Sequence, residues 1–242
     1  MNLTDRCYCL TGLAHSDYFA VNAGFVTGEN ETVVIDSGFT LGSAQTIYGY
    51  AQAVNPHNQV SYVINLEEHF DHILGNGFFI RKGAKIIAHE LVVLEQEDID
   101  EFVESANSEI KIEGRRKNKE AFTYFKGVIP FKPDLCINDN TSLDIGGVTI
   151  KIYVAPGHTE TNLIAYCEEE KVAYVADTLY SKYLPTLRFG NERLWNLWLQ
   201  SLDLLERLNP EIVVPGHGDI LAGESISEEI KRHKTILKKK LG

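Results

Sequence analysis

The segment Glu67-Glu68-His69-Phe70-Asp71-His72 packs two imidazoles and three carboxylates into six residues. It follows an apolar run, 60–64, that reads as a buried strand. A loop leaving a strand can aim several side chains at one point. Acids and histidines that converge need a cation to relieve repulsion and supply partners. Three more candidates stand at strand-to-loop junctions: His158 in Ala-Pro-Gly-His-Thr, Asp177 in Tyr-Val-Ala-Asp-Thr, and His217 in Val-Pro-Gly-His-Gly. Imidazole and oxygen donors without thiolate suit zinc, iron or manganese. The seven candidates Glu67, His69, Asp71, His72, His158, Asp177 and His217 exceed what one tetrahedral zinc needs, which points to two metals sharing a bridge. Alternate residues of an extended loop share a direction, so Glu67, His69 and Asp71 are expected to converge. His72 would turn in from the next position, and Glu68 would face outward.

The elements that must position these groups are strands and helices in alternation. Segments 19–26 and 32–35 read as strands joined by the polar turn Thr27-Gly28-Glu29-Asn30-Glu31. Ala44, Ile47, Tyr48, Ala51 and Val54 lie on one helical face, stopped by Asn55-Pro56. Strands follow at 60–64 and 85–88. Residues 90–126 are acidic first and basic later, the pattern of one or two exposed helices. They form either a lid or a solvated insertion. In the second half, 148–155, 163–167, 171–175 and 212–214 read as strands. A helix over 191–208 carries Leu194, Trp195, Trp198, Leu202 and Leu205 on one stripe, which assigns both tryptophans to the core. The last helix begins near Ser227 and ends in Lys238-Lys239-Lys240, charges that suit its dipole. Two similar halves of strands then helices suggest two face-to-face sheets with helices outside. Without a linker or low-complexity tract, 1–242 reads as one α/β domain with a helical insertion or lid at about 90–126.

The chain resembles the metallo-β-lactamase-fold metallohydrolases, the superfamily of glyoxalase II, acyl-homoserine lactonases and class B β-lactamases. The resemblance runs from Val33-Val34-Ile35-Asp36-Ser37-Gly38 to Pro215-Gly216-His217-Gly218. It implies a four-layer αββα sandwich with two mixed sheets. The loop of that family reads H-x-H-x-D-H, and aligning Asp71-His72 with its end puts Glu67 at the first His and His69 at the second. By the family pattern Glu67, His69 and His158 would hold one metal, Asp71, His72 and His217 the other, and Asp177 would bridge. Glycines beside His158 and His217 are expected to permit tight backbone turns. Asp36 sits where the family keeps a carboxylate under the metal loop, so it either orients a ligand or caps the Gly38 turn. Tyr180 is three after Asp177, where the lactonase branch contacts the substrate carbonyl; packing is the other reading. Glu67 adds an anion to the pocket, which weakens the metals as Lewis acids and moves preference toward iron or manganese.

The implied function is a dinuclear hydrolase in which a hydroxide bridging the metals attacks an ester, thioester, lactone or related bond. Asp71 would hold the proton during turnover. The alternatives are a β-lactamase-like amide hydrolase, a non-heme diiron redox or oxygen-binding protein, and a catalytically weakened metal-binding sensor. Expected cofactors are two divalent ions, zinc foremost, then iron or manganese. A formal charge of −11 disfavours nucleic acid and fits a small-molecule substrate. No apolar run reaches the roughly 18 residues of a membrane span. Met-Asn-Leu-Thr-Asp-Arg lacks the basic-then-apolar layout of a secretory signal, so the expectation is cytoplasmic. Cys7, Cys9, Cys136 and Cys167 read as free thiols, with Cys7 and Cys9 on one strand face. Oligomeric state is open, a homodimer included. His15 is a candidate for the cleft rim, while His57, His89 and His233 read as surface or packing residues.

Overall fold

The computed structural model describes residues 1–13, 20–109 and 127–242. The short apolar runs are strands, and they sort into two sheets that follow the chain. The first sheet has the order β1 (Cys7–Leu10), β2 (Ala23–Thr27), β3 (Glu31–Ile35), β4 (Gln59–Ile64), β5 (Lys85–Ala88), β6 (Leu135–Cys136). Its first three strands pair antiparallel and β3 through β6 pair parallel. The second sheet runs from β7 (Thr141–Asp144) through β8 (Thr149–Val154), β9 (Leu163–Cys167), β10 (Val172–Tyr180) and β11 (Ile212–His217) to β12 (Leu221–Ala222). Only β10 and β11 pair parallel there.

Successive strand residues point to opposite faces, and the layers follow from that alternation. On β3, Val34 faces α1 (Leu41–Val54) and the helix that follows the metal loop, packing with Ile47, Ala51 and Phe79. Val33 and Ile35 face the other way and meet Ile150, Val172 and Tyr174 of the second sheet. Beyond that sheet, Ile164, Val175 and Val213 pack on Trp198 and Leu202 from α5 (Glu192–Leu208) and on Ile230 and Leu237 from α6 (Glu224–Leu241). The result is helix, sheet, sheet, helix: the expected αββα sandwich. The inner strands are covered on both faces, which is why they read as near-continuous apolar runs.

The helices start and stop as their capping residues dictate. Thr40 Oγ1 accepts the Ser43 amide at 3.1 Å before α1, and Asn55 ends it. Asn191 Oδ1 accepts the Leu194 amide at 3.1 Å before α5 (Glu192–Leu208), which stops at left-handed Asn209. The remaining helices are α2 (Phe70–Ile73), α3 (Asn76–Arg81), α4 (Gln96–Glu109) and α6 (Glu224–Leu241). α6 therefore begins before Ser227. α4 supplies the first part of the predicted insertion, and its Phe102 packs edge-on against Phe70 with ring centres 4.4 Å apart. The rest of that segment, 110–126, and His15 lie outside the described residues.

Other expectations are corrected. β10 extends to Tyr180 rather than stopping at 175, because pairing with β11 carries it past a register shift at Ala176. Trp198 is core, but Trp195 is only half-buried, with the Lys240 ammonium 5.5 Å from its ring centre. Cys7 and Cys9 share the inter-sheet face with Cys167; all three are buried free thiols, and Cys136 is an exposed one. Among the described residues no helix is long and apolar enough to cross a membrane.

Candidate metal centre

Five strands deliver the site from their carboxyl ends. Asp36 follows β3 and the Glu67 loop follows β4. His158 follows β8, Asp177 lies within β10, and His217 closes β11. The Glu67 loop is not extended throughout, as the alternation argument assumed. His69 has extended backbone, and the chain then turns into α2, with the His72 amide donating to the His69 carbonyl at 3.0 Å. That turn swings Asp71 and His72 inward together. The Ser37 amide and hydroxyl donate to the His72 carbonyl at 2.8 and 3.1 Å and pin the turn against β3.

All seven predicted ligands meet. Glu67, His69, His158 and Asp177 form one group, and Asp71, His72 and His217 a second; within each, donor atoms lie within 4.8 Å of one another. Asp177 reaches across: Oδ2 is 3.5 Å from His158 Nε2, while Oδ1 is 3.2 Å from His217 Nε2 and 3.5 Å from His72 Nε2. Glu67 Oε1 also lies at the seam, 3.3 Å from His69 Nδ1 and 3.0 Å from His72 Nε2. His158 Nε2 and His69 Nδ1 are 3.1 Å apart. Asp71 Oδ2 is 3.3 Å from His217 Nε2. Glu68 is half-buried and takes no part.

Whether this set fits a cation can be tested on its unsatisfied atoms. Glu67 Oε1, His72 Nε2 and Asp177 Oδ1 are buried and have no hydrogen-bond partner. Buried polar atoms are ordinarily paired, and three orphans facing one point are what a cation would satisfy. The electrostatics agree. Burial alone would depress the His69 pKa, but Glu67, Asp177 and Asp71 outweigh it and raise it to about 9. At His217 burial is likewise overcome by Asp177 and Asp71, which raise it to about 11. Burial also opposes the charge on His72, yet Glu67, Asp71 and Asp36 raise it well above its usual value. Burial would raise Asp177, but His217 and His72 hold it well below the usual carboxylate range. Without a cation, the raised imidazoles of His69, His72 and His217 balance the carboxylates, and a metal entering would displace their protons.

The rings are oriented from behind. Asp36 Oδ2 is 2.8 Å from His72 Nδ1, and its Oδ1 accepts the Leu66 amide at 2.9 Å, so of its two expected roles it takes that of holding the His72 ring in place. His158 Nδ1 lies 3.1 Å from the Thr186 carbonyl and His217 Nδ1 2.7 Å from that of Ala20. Gly218, just after His217, has the positive φ of 92° expected of a turn glycine, whereas Gly157 and Gly216 act by close approach. A Cβ at Gly216 would sit 2.0 Å from Asp177 Oδ1, and one at Gly157 would sit 2.6 Å from the Trp198 ring.

Several participants were not singled out from sequence. Trp198 closes the floor with its ring 5.5 Å from His158, anchored by an indole N–H to the Thr178 carbonyl at 2.8 Å. His233, read as surface or packing, is buried beneath Tyr180 and accepts the Tyr180 amide at Nε2, 3.1 Å away. Asn162 donates to Glu67 Oε2 at 2.9 Å. Phe189, 50% exposed, lies against both His69 and His158 with ring centres 4.7 and 5.8 Å away. The signal was faint because each belongs to an ordinary core, loop or helix pattern. Tyr180 itself is buried, and its hydroxyl donates to Asp177 Oδ2 at 2.6 Å.

With fold and site in view, the comparisons with known proteins give one class. A family model described as the metallo-beta-lactamase superfamily matches residues 17–217, and the chain belongs to that superfamily. It is similar to the 2,4-dinitroanisole O-demethylase subunit alpha of Nocardioides sp. (strain JS1661), 24% identical over 193 residues, covering 79% of this chain and 51% of that one. It is also similar to a linear primary-alkylsulfatase of Pseudomonas sp. (strain ATCC 19151), 26% identical over 103 residues, 41% of this chain and 20% of the relative. The chain thus spans about half, or less, of the length of these relatives. A metallo-beta-lactamase family protein from Thermus thermophilus superposes with a TM-score of 0.74 at 22% identity, over 98% of this chain and 81% of that chain. A metallo-beta-lactamase from Pontibacter korlensis gives 0.72 at 17%, over 98% and 97%. At such identities the likeness is one of fold. The two ligand clusters in this fold suit divalent metal ions.

Proposed function

We propose that the chain is a dinuclear metal-dependent hydrolase acting on an ester, thioester, lactone or related bond. The observation that carries this reading is the convergence of the seven donors in two groups with orphaned buried atoms at their seam. Glu67, His69 and His158 would hold one ion, Asp71, His72 and His217 the other, with Asp177 common to both. Zinc is the leading candidate, and the three carboxylates keep iron and manganese in play. Such a pair of ions supplies an activated water and polarises the electrophilic oxygen.

The chain's own residues do the remaining work. Asp71 is less deeply buried than the other two carboxylates of the site, which suits it to take the proton of the attacking water and return it to the leaving group. Tyr180 holds its proton, because burial and the facing carboxylates of Asp177, Glu67 and Asp71 push its pKa well above 10. It is therefore a donor at neutral pH, set on Asp177. His69 and Phe189 form the open side, where a small organic substrate would enter. The net charge of −11 argues against a nucleic-acid partner, and a cytoplasmic protein with a small-molecule substrate and no membrane partner is the setting we propose, its oligomeric state open.

Elemental analysis after gentle purification tests the reading, with about two ions per chain expected. A reproducible zero after incubation with zinc, iron and manganese would overturn it. A panel of aryl esters, thioesters and lactones then assigns the bond.

A further inference from the structure

Glu67 stands where the loop pattern of the superfamily places an imidazole, and the surrounding chain is built for the carboxylate. Glu67 is fully buried. Its two oxygens have different surroundings. Oε1 faces His69 and His72 and has no hydrogen-bond partner, whereas Oε2 accepts from Asn162 Nδ2 at 2.9 Å. Asn162 is also fully buried, and its orientation is fixed by the loop that carries His158. Its Oδ1 accepts the Thr159 amide at 2.7 Å and the Thr159 hydroxyl at 3.2 Å. With the oxygen committed to two donors, the amide nitrogen must be the atom that meets Glu67. The Asn162 carbonyl in turn accepts the Ala155 amide at 2.9 Å, which closes the loop at its base.

We propose that Asn162 is a positioning residue that makes Glu67 a one-oxygen metal ligand: by occupying Oε2 it prevents chelation through both oxygens and turns Oε1 to the seam between the two donor groups. The inference rests on the metal-binding reading above. Its chemical consequence is economy of coordination. A chelating carboxylate would fill two positions on one ion, whereas a carboxylate tethered at its far oxygen fills one and leaves room for water or substrate. Asn162 further joins the Glu67 loop of the first sheet to the His158 loop of the second, so two ligands from different halves share one support.

The test is a double-mutant cycle read by cobalt(II) binding in competition with a chelator. Asn162→Ala removes the amide donor to Glu67 without placing a charge beside the donor groups. It is expected to weaken binding at least tenfold and to change the intensity of the cobalt visible bands, which report coordination number. In a Glu67→Ala background the same substitution is expected to cost clearly less affinity and to leave the bands alone. An equal loss in both backgrounds would mean that Asn162 acts only through the His158 loop, and would overturn the proposal. So would an Asn162→Ala protein that binds cobalt as the parent does. Circular dichroism checks folding, and Asn162→Ser, too short to reach Glu67, is expected to behave as Asn162→Ala does. Failure of the parent chain to bind cobalt at all would instead sink the metal-binding reading beneath it.

Discussion

Tyr180 and Asp177 illustrate how roles divide among side chains that touch. Asp177 lies beside histidines of both donor groups, whereas Tyr180 touches the centre through its hydrogen bond to Asp177 and through packing on the His158 and His217 rings. Asp177→Ala and His72→Ala are therefore expected to empty the site and abolish turnover. Tyr180→Phe should retain metal and lose at most about 2.7–4 kcal/mol of transition-state stabilisation, the upper value of a single oxyanion donor. Metal content and kcat on one accepted ester decide between these. Glu67→His tests the added anion. A neutral, softer donor should raise zinc preference over iron or manganese and move the alkaline limb of the pH–rate profile to lower pH. Metal competition and rate profiles measured on both proteins check it, and identical results would remove Glu67 from the ligand set.

At the scale of elements, β10 and α6 hold what the sequence hides. Most of the donors were legible from their company: Glu67, His69, Asp71 and His72 crowd into one short segment after a strand, and His158 and His217 each follow a Pro-Gly pair. β10 was only half legible: Ala176-Asp177-Thr178 looks like a turn, and its continuation as strand depends on pairing with β11, a contact between segments far apart in sequence. His233 was illegible for a like reason. It lies on an amphipathic helix as any packing residue would, and only tertiary structure puts it under Tyr180, ring planes 12° apart. Burial lowers its pKa to about 4, with Arg232 pushing the same way and the Glu229 carbonyl and Asp177 opposing; Trp198 packs on it edge-on and the Glu229 carboxylate lies 3.8 Å away. The unfolded chain takes this proton near 6.5 and the folded chain only near 4. The stability that the neutral His233 ring contributes is therefore full above 6.5 and declines as pH falls between those values. At about 1.4 kcal/mol per pH unit, the 2.5-unit interval bounds the loss at about 3.5 kcal/mol. Thermal melts from pH 7 to 4 should show a shallower acid decline for His233→Gln than for the parent. Between β10 and β11, Gly216 leaves no space for a methyl group. Gly216→Ala should lose about 1–3 kcal/mol of stability, as overpacking does, together with metal occupancy. Calorimetry and elemental analysis on one preparation check both.

At the scale of the whole molecule, the donors come from both sheets: Glu67, His69, Asp71 and His72 from the first, and His158, Asp177 and His217 from the second. A cation bound between them favours only the folded state. At a free concentration 100 times its dissociation constant it contributes about 2.7 kcal/mol, so chelation should lower Tm by several degrees, reversibly, on a scale set by affinity. An unchanged Tm after verified metal removal would show that the sheets hold the site without help. The described strands of the first sheet all precede residue 137, and those of the second all follow residue 140. The described sheets are thus two successive pieces of polypeptide that share one candidate metal centre, and a cut at that boundary is expected to make a two-part switch. Fragments 1–138 and 139–242, expressed separately, each carry too few donors to act alone. Mixed, they should recover tight cobalt binding only when they find each other, with the metal concentration setting how tightly they hold.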